Sequence, residues 1–340
     1  MKRIAFVIVM VVMLALPSSA QEADLSAVKS YLTENVASLD ASGQALLASA
    51  QAYHALAEAQ GFDYAALWAS DRVAVIASLS EAKHAWLVAS PLYEQVEGIV
   101  AGVPSLNEYD VILDAGGAGD VPFDITTADG RTFASPGNLF GFIESTLWGT
   151  VESYSSGVFA DLNLNSEADF GEALPDAIVL LAAAEQFAGY TTELVGSAGA
   201  WEPTPQDAFT ALVVMVPTMS EYFASWRDSR FVLGDASTQA DFGVISRLSD
   251  IKDILGGLLV VYDNVQPLIE SVDSAQAAQI RQDLLNLQTY VADLLAEEQA
   301  GRQFTPEEAD LFGSEAQGRA QAITGQIAQV AALVGVELSE

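Results

Sequence analysis

The sequence predicts an all-α fold of two helical bundles with one irregular excursion. Three observations carry that expectation. Apolar residues recur at three- and four-residue steps through most of the chain. Four helix starts are written as a capping hydroxyl followed by proline, at Ser90-Pro91, Ser135-Pro136, Thr204-Pro205 and Thr305-Pro306. Hairpin chemistry is confined to one place, Asp129-Gly130 between short β-prone runs. At 340 residues the chain exceeds what one hydrophobic core usually supports, so two structural units are expected, and 51% apolar content lets both be packed.

In chain order, residues 1–20 read as a secretory leader. Lys2 and Arg3 precede an apolar run from Ile4 to Leu16, and Pro17-Ser18-Ser19-Ala20 supplies small residues for cleavage after Ala20. That run is short for a bilayer span, which needs about 20 residues, and no later stretch competes. A periplasmic or secreted protein with no membrane span in the mature chain is expected. Leu25, Val28, Leu32, Val36 and Leu39 open the helical pattern; Ile280, Leu284, Leu287, Val291 and Leu294 repeat it, as do Ile323, Ile327, Val330 and Val334. Helices are expected near 23–39, 43–60, 63–79, 80–102, 136–149, 175–197, 205–232, 238–265, 273–299 and 306–336. Residues 103–135 hold the hairpin, and "GGAG" at 116–119 reads as a flexible loop because its acidic neighbours would repel a phosphate. Residues 151–174, rich in Ser, Asn, Asp and Gly, mark the boundary between an N-terminal half at 21–165 and a C-terminal half at 166–340.

Composition narrows the chemistry. No cysteine is present, which removes disulfides, thiolate ligands, cysteine nucleophiles and the attachment point of a lipoprotein. The formal charge is −33, and loss of the leader's two basic residues would make the mature chain still more acidic. Nucleic acid and anionic membrane surfaces are poor partners for such a field, whereas cations would be concentrated at the surface. Solubility in salty surroundings accounts for the charge equally simply. With His54 and His84 as the only histidines, thirty residues apart, a two-histidine zinc helix cannot be built. The tryptophans, Trp68, Trp86, Trp148, Trp201 and Trp226, fall mostly within expected helices and read as core.

Carboxylates remain. Glu94 and Glu97 in "PLYEQVEG" share a helix face, and Asp110 and Asp114 follow in "YDVILD". Like charges at that spacing need solvent, protons or a bridging cation. Spacing alone favours a solvated acidic face. Oxygen donors would suit a hard cation such as Ca²⁺, Mg²⁺ or Fe³⁺. In "PGNLFGFIESTLWGT", Gly137, Gly141, Ser145 and Gly149 form a small-residue stripe that would let a neighbouring helix approach closely, and Phe140, Glu144 and Trp148 form the next stripe.

These segments, in this order, resemble the imelysin-like family, which includes EfeO-type periplasmic iron-uptake proteins. "PLYEQVEGIV" is similar to the family's Tyr-Glu-Arg-Ile-Glu-Pro helix and aligns Tyr93, Glu94 and Glu97. "YDVILDA" resembles Leu-Asp-Pro-x-Ile-Asp-Ala and aligns Asp110 and Asp114. "LFGFIESTLW" resembles Gly-Phe-His-Arg-Ile-Glu-x-x-Leu-Trp, with Phe140, Ile143, Glu144, Leu147 and Trp148 in register. "ISRLSDIKDILGGLLVVYD" is similar to a later segment reading Arg-Tyr-Ser-His-x-x-Leu-x-Asp, which sets Asp250 about where a histidine stands. Two positions depart from the signature, since Leu139 replaces its glycine and Gly141 its histidine.

The resemblance implies a two-bundle fold of related halves with a metal or ligand site between them. Its implied ligand set is Glu144, Glu97 and Glu94 with Asp110, Asp114 or Asp250, an all-oxygen site for iron or Ca²⁺. An iron-uptake role would bring an inner-membrane iron permease or an outer-membrane receptor as partner. The alternatives are a metal-free scaffold for a polysaccharide or protein, and a metallopeptidase, which the missing signature histidine argues against. Glu144 is either the last ligand of a remodelled site or a remnant on a packing helix.

Overall fold

The computed structural model describes residues 23–167 and 169–338. The expected leader and its cleavage after Ala20 lie outside them. The fold is all-α, as the periodicity predicts. The long helices are α1 (Ser26–Ala59), α2 (Tyr64–Val100), α5 (Ala177–Ala200), α9 (Arg247–Gln299) and α10 (Pro306–Leu333). Shorter helices are α3 (Asn107–Asp110), α4 (Leu139–Trp148), α6 (Pro205–Met215), α7 (Met219–Asp228) and α8 (Arg230–Leu233).

Several boundaries moved for identifiable reasons. The pairs expected at 23–39 and 43–60 run together because Gly43 does not break α1. Its missing side chain lets α5 close in, for a Cβ there would lie 3.1 Å from Thr191 Oγ1 and 3.3 Å from the Phe187 ring. Pro91 sits inside α2 instead of starting a helix, and α2 kinks earlier, at Asp71 (φ −125°, ψ 24°). The expected start near 273 is real, since Asp273 leaves helical geometry (φ −152°, ψ 93°) and accepts from Gln276 N at 2.9 Å, so α9 is two helices meeting at a kink. Thr204 and Thr305 form full capping boxes with Asp207 and Glu308. Ser135 does not cap: Gly137 takes φ +100°, outside helical space, and the Asn138 side chain accepts from Gly141 N instead. The segment 238–246 is irregular, and α9 begins only after the Ser246 cap.

Two small antiparallel pairs interrupt the helices. β1 (Asp124–Thr126) and β2 (Thr132–Ala134) make the expected hairpin, while β3 (Ser155–Phe159) with β4 (Ala173–Pro175) was not anticipated. The stretch Pro205–Asp228 is long and apolar enough to cross a membrane by composition, but 56% of its most apolar window is buried, and a 3₁₀ turn at Val216–Thr218 breaks it.

Helix packing sorts α1, α2 and α5 into one group, and α6, α7, α9 and α10 into another. The chain passes from the first group to the second after α5, near residues 201–204. The groups meet chiefly where α2 lies on α9. Their approach is close: a Cβ on Gly257 would sit 2.2 Å from the Gln95 carbonyl oxygen, and one on Gly98 would sit 2.8 Å from the Leu258 side chain. That junction holds the chemically unusual residues.

Candidate metal centre

Four elements deliver carboxylates to the α2–α9 junction. Glu94 and Glu97 project from the last turns of α2 after Pro91. Asp110 ends α3, and Asp114 lies in the π-helical turn Val111–Ala115 that continues it. A π turn widens the helix locally and recurs at functional sites. Asp250 stands in the first turn of α9, and Glu144 in the middle of α4. The solvated acidic face that spacing favoured is not found. Exposure is 1% for Glu94, 2% for Glu97, 4% for Asp114, 3% for Asp250, 5% for Glu144 and 9% for Asp110.

Not all six converge. Ligand atoms of Glu94, Glu97 and Asp114 lie within 4.8 Å of one another. Each of the three also has one shielded oxygen that no N–H or hydroxyl donor reaches: Glu94 Oε2, Glu97 Oε2 and Asp114 Oδ1. Asp110 and Asp250 border the group with partners of their own. Asp110 Oδ1 accepts from the Tyr93 hydroxyl at 2.7 Å, and Asp250 Oδ2 accepts from Arg247 Nη1 at 2.9 Å. Glu144 has both oxygens engaged, Oε1 by Gly243 N at 2.7 Å and Oε2 by Trp86 Nε1 at 3.4 Å.

Three further residues complete the setting, and none was singled out from the sequence as part of a site. Arg247, 7% exposed, is the only cation among the described residues ion-paired to this cluster, with Asp114 at 3.6 Å and Glu94 at 3.9 Å besides Asp250. Its guanidinium is sandwiched against Phe242 (3.6 Å to the ring centroid) and Tyr222 (4.6 Å). The Tyr222 hydroxyl donates to Glu97 Oε1. Asp241 occupies the space beside Gly141, where a Cβ would come within 2.8 Å of its Oδ2. One signal for Arg247 was present: a basic residue at the first position of a helix opposes the dipole and asks for a reason. The small stripe on α4 faces no helix. Gly141 and Ser145 pack against the irregular segment before α9, where Ser145 Oγ donates to the Ala240 carbonyl at 3.2 Å, while Gly137 faces residues 116–118 and Gly149 faces Ala173 of β4.

Burial dominates the electrostatics. It pushes Glu97 up to about 8, helped by Asp110 and Asp114. Burial drives Glu94 well above its ordinary value, with Asp250 and Asp114 adding to the shift. Asp110 rises to about 7 and Asp250 to about 6, both through burial, with Arg247 opposing. Asp114 is raised by burial against the pull of Arg247. Glu144 rises to about 8 through burial, held back by the Gly243 amide and raised further by Asp241. A pocket that crowds carboxylates out of water around one arginine must hold protons, or must replace them with a cation. The all-oxygen donor set and its three orphaned oxygens fit a hard cation. Neither histidine belongs to the cluster, since His54 stacks edge-on against Phe62 and His84 is exposed.

Fold and site together define an all-α protein of two packed helix groups with a buried acidic cluster at their junction. The family model for imelysin, a family that carries a peptidase label, matches residues 25–334. The chain belongs to the imelysin family. No curated protein matches it.

Proposed function

We propose that this protein is an exported, cation-binding member of its family that serves iron uptake or delivery. Glu94, Glu97 and Asp114 would hold the cation, and Asp110 and Asp250 would border it. The observation that carries this reading is the set of three shielded, unpartnered carboxylate oxygens within one short radius. Orphaned buried acceptors are costly, and a bound cation is the partner that would satisfy all three at once. Tyr222, Tyr93 and Arg247 would orient the carboxylates. Glu144 would act one step away, fixing the segment before α9 to α4 through the Gly243 amide. We assign no peptidase activity to this chain, because the donor set contains no histidine.

Calorimetric titration of the purified protein with anaerobic Fe²⁺ and weakly chelated Fe³⁺ tests the reading. Uptake of one iron ion that releases protons and disappears in Glu94→Gln/Glu97→Gln supports it. Equal iron affinity in the wild type and that double variant would overturn the assignment. One observation favours a second reading: Arg247 already sits among these carboxylates as a built-in cation. In that case the cluster is a charge-balanced strut and the fold serves as a metal-free scaffold for a polysaccharide or protein, and the same titration shows no uptake at the junction.

A further inference from the structure

The loop between β3 and β4 reads D-L-N-L-N-S-E-A-D-F-G-E from Asp161 to Glu172. Its acidic and amide residues do not form a simple cluster. They fall at the first, third, fifth, ninth and twelfth places of a twelve-residue stretch, with Asp at one, Asn at three and five, Asp at nine and Glu at twelve. That is the ligand spacing of the EF-hand calcium loop, in which the seventh residue contributes its backbone carbonyl and the sixth, usually Gly, makes a sharp turn. Ser166 at the sixth place adopts φ +69°, the left-handed conformation which that turn demands.

We propose that residues 161–172 form a second cation site, selective for Ca²⁺ and independent of the junction between α2 and α9. Its ligands are the side chains of Asp161, Asn163, Asn165, Asp169 and Glu172, with the Glu167 carbonyl. The backbone already closes the loop, for Ala160 N donates to the Glu172 carbonyl at 2.8 Å and brings the first and twelfth residues together. Glu172, 4% exposed, turns its carboxylate inward: Oε1 accepts from Leu162 N (2.9 Å) and Asn163 N (3.1 Å), and Oε2 from Asp169 N (2.9 Å). Asn163 and Asn165 both donate through Nδ2 to Asp169 Oδ2, at 2.9 and 2.6 Å, so three of the side chains meet at one point, where a turn of each amide would present its oxygen to a cation. Asp161 supplies the independent sign of a missing partner. Its Oδ2 accepts from Ser166 N at 3.0 Å, while its Oδ1 is shut off from solvent and has no hydrogen-bond partner.

The surroundings are compatible with a cation. Four carboxylates lie within the loop, and two cations touch it from outside: Lys83 donates to the Gly171 carbonyl at 2.6 Å, and the Arg230 guanidinium lies 4.0 Å from the Phe170 ring centroid. Flanking strands replace the usual helices, so the site would stiffen a hairpin instead of opening a helix pair. That hairpin is tied to α4, since a Cβ on Gly171 would lie 2.3 Å from Trp148 Cδ1.

The test is calorimetric titration of Ca²⁺ and Mg²⁺ into the full chain carrying Glu94→Gln/Glu97→Gln, which removes two carboxylates from the junction. One Ca²⁺ is expected to bind, with Mg²⁺ at least about tenfold weaker because it demands a smaller octahedral shell. Asp161→Asn and Glu172→Gln should each weaken Ca²⁺ at least about tenfold. Because Glu172 also accepts three backbone N–H groups, Asn165→Ala is the control that spares the hairpin, and it should weaken Ca²⁺ with an unchanged circular dichroism spectrum. No Ca²⁺ uptake in the double variant would overturn the proposal, as would affinity unaltered by Asp161→Asn and Asn165→Ala.

Discussion

Arg247 donates through Nη1 to Asp250 Oδ2 at 2.9 Å, one turn further along the same helix, and this pair stands beside Glu94 and Asp114 without reaching normal hydrogen-bond distance to either. The guanidinium is thus committed to one carboxylate and shared loosely with two more. Removing it leaves buried negative charge uncompensated, which typically costs about 3–5 kcal/mol when a buried pair loses one partner. Arg247→Gln is therefore expected to lower the melting temperature of the cation-free protein sharply at pH 8. Added cation should recover more of the lost stability in the variant than it adds to wild type. Differential scanning calorimetry with and without chelator reads both effects, and an unaltered melting temperature would show that Arg247 carries no such burden.

The pH dependence has a definite sign. Carboxylates whose folded pKa is raised keep their protons in the fold after the unfolded chain has released them, so the fold loses stability as pH rises through the window between the two values. For Glu97 that window runs from 4.5 to about 8, and for Asp110 from 3.8 to about 7. The cation-free protein should melt at a lower temperature at pH 8 than at pH 5. Self-repulsion of a chain with formal charge −33 acts in the same direction. Glu97→Gln isolates the local part: it removes one titration and keeps an oxygen for the Tyr222 hydroxyl. The variant should be the more stable protein at pH 8, by on the order of 1 kcal/mol or more, and should no longer be stabilised by iron. A variant no more stable than wild type at pH 8 would contradict the assignment of Glu97.

How much of this was legible follows from the range of each interaction. Periodicity located the helical stretches because it is local, and capping at Thr204 and Thr305 was read correctly for the same reason. The acidic residues were visible, but their burial was not, because it is decided by α9 folding over α2, and by Tyr222 of α7 reaching Glu97, from more than a hundred residues away. The close approach at Gly257 and the Tyr222 hydroxyl on Glu97 have no local signature at all. Gly141 misled in the opposite way: four-residue spacing promised a helix partner, and an irregular segment carrying Asp241 took the space.

Close packing of α2 on α9 sets the geometry of the cluster, which makes Gly257 a long-range determinant. A Cβ there would stand 2.2 Å from the Gln95 carbonyl oxygen, between Glu94 and Glu97, and backbone cannot step aside as a side-chain tip can. Gly257→Ala should cost about 1–3 kcal/mol, as overpacking usually does. It should also weaken cation binding although residue 257 bears no ligand. Gly256→Ala is the matched control, since a Cβ there meets only the Gln288 side chain at 3.1 Å. Equal stability and equal affinity of the two variants, measured by urea unfolding and calorimetry, would show that the helices can separate without disturbing the carboxylates.

Glu144 separates a ligand from a positioning residue. Both its oxygens are taken, by the Gly243 amide at 2.7 Å and by the Trp86 indole at 3.4 Å, and both partners are donors. A glutamine can offer an oxygen to only one of them and turns its amide hydrogens towards the other, which leaves a buried donor unsatisfied at a cost of about 1–3 kcal/mol. Glu144→Gln should therefore loosen the segment before α9. Amide exchange should rise across 238–246, while exchange in α2 and α5 stays near the wild-type rate. Cation affinity should fall only modestly, because Glu94, Glu97 and Asp114 keep their places. If the variant instead abolished binding and left exchange across 238–246 unchanged, Glu144 would be a ligand, and the cation would sit nearer α4 than the three orphaned oxygens indicate.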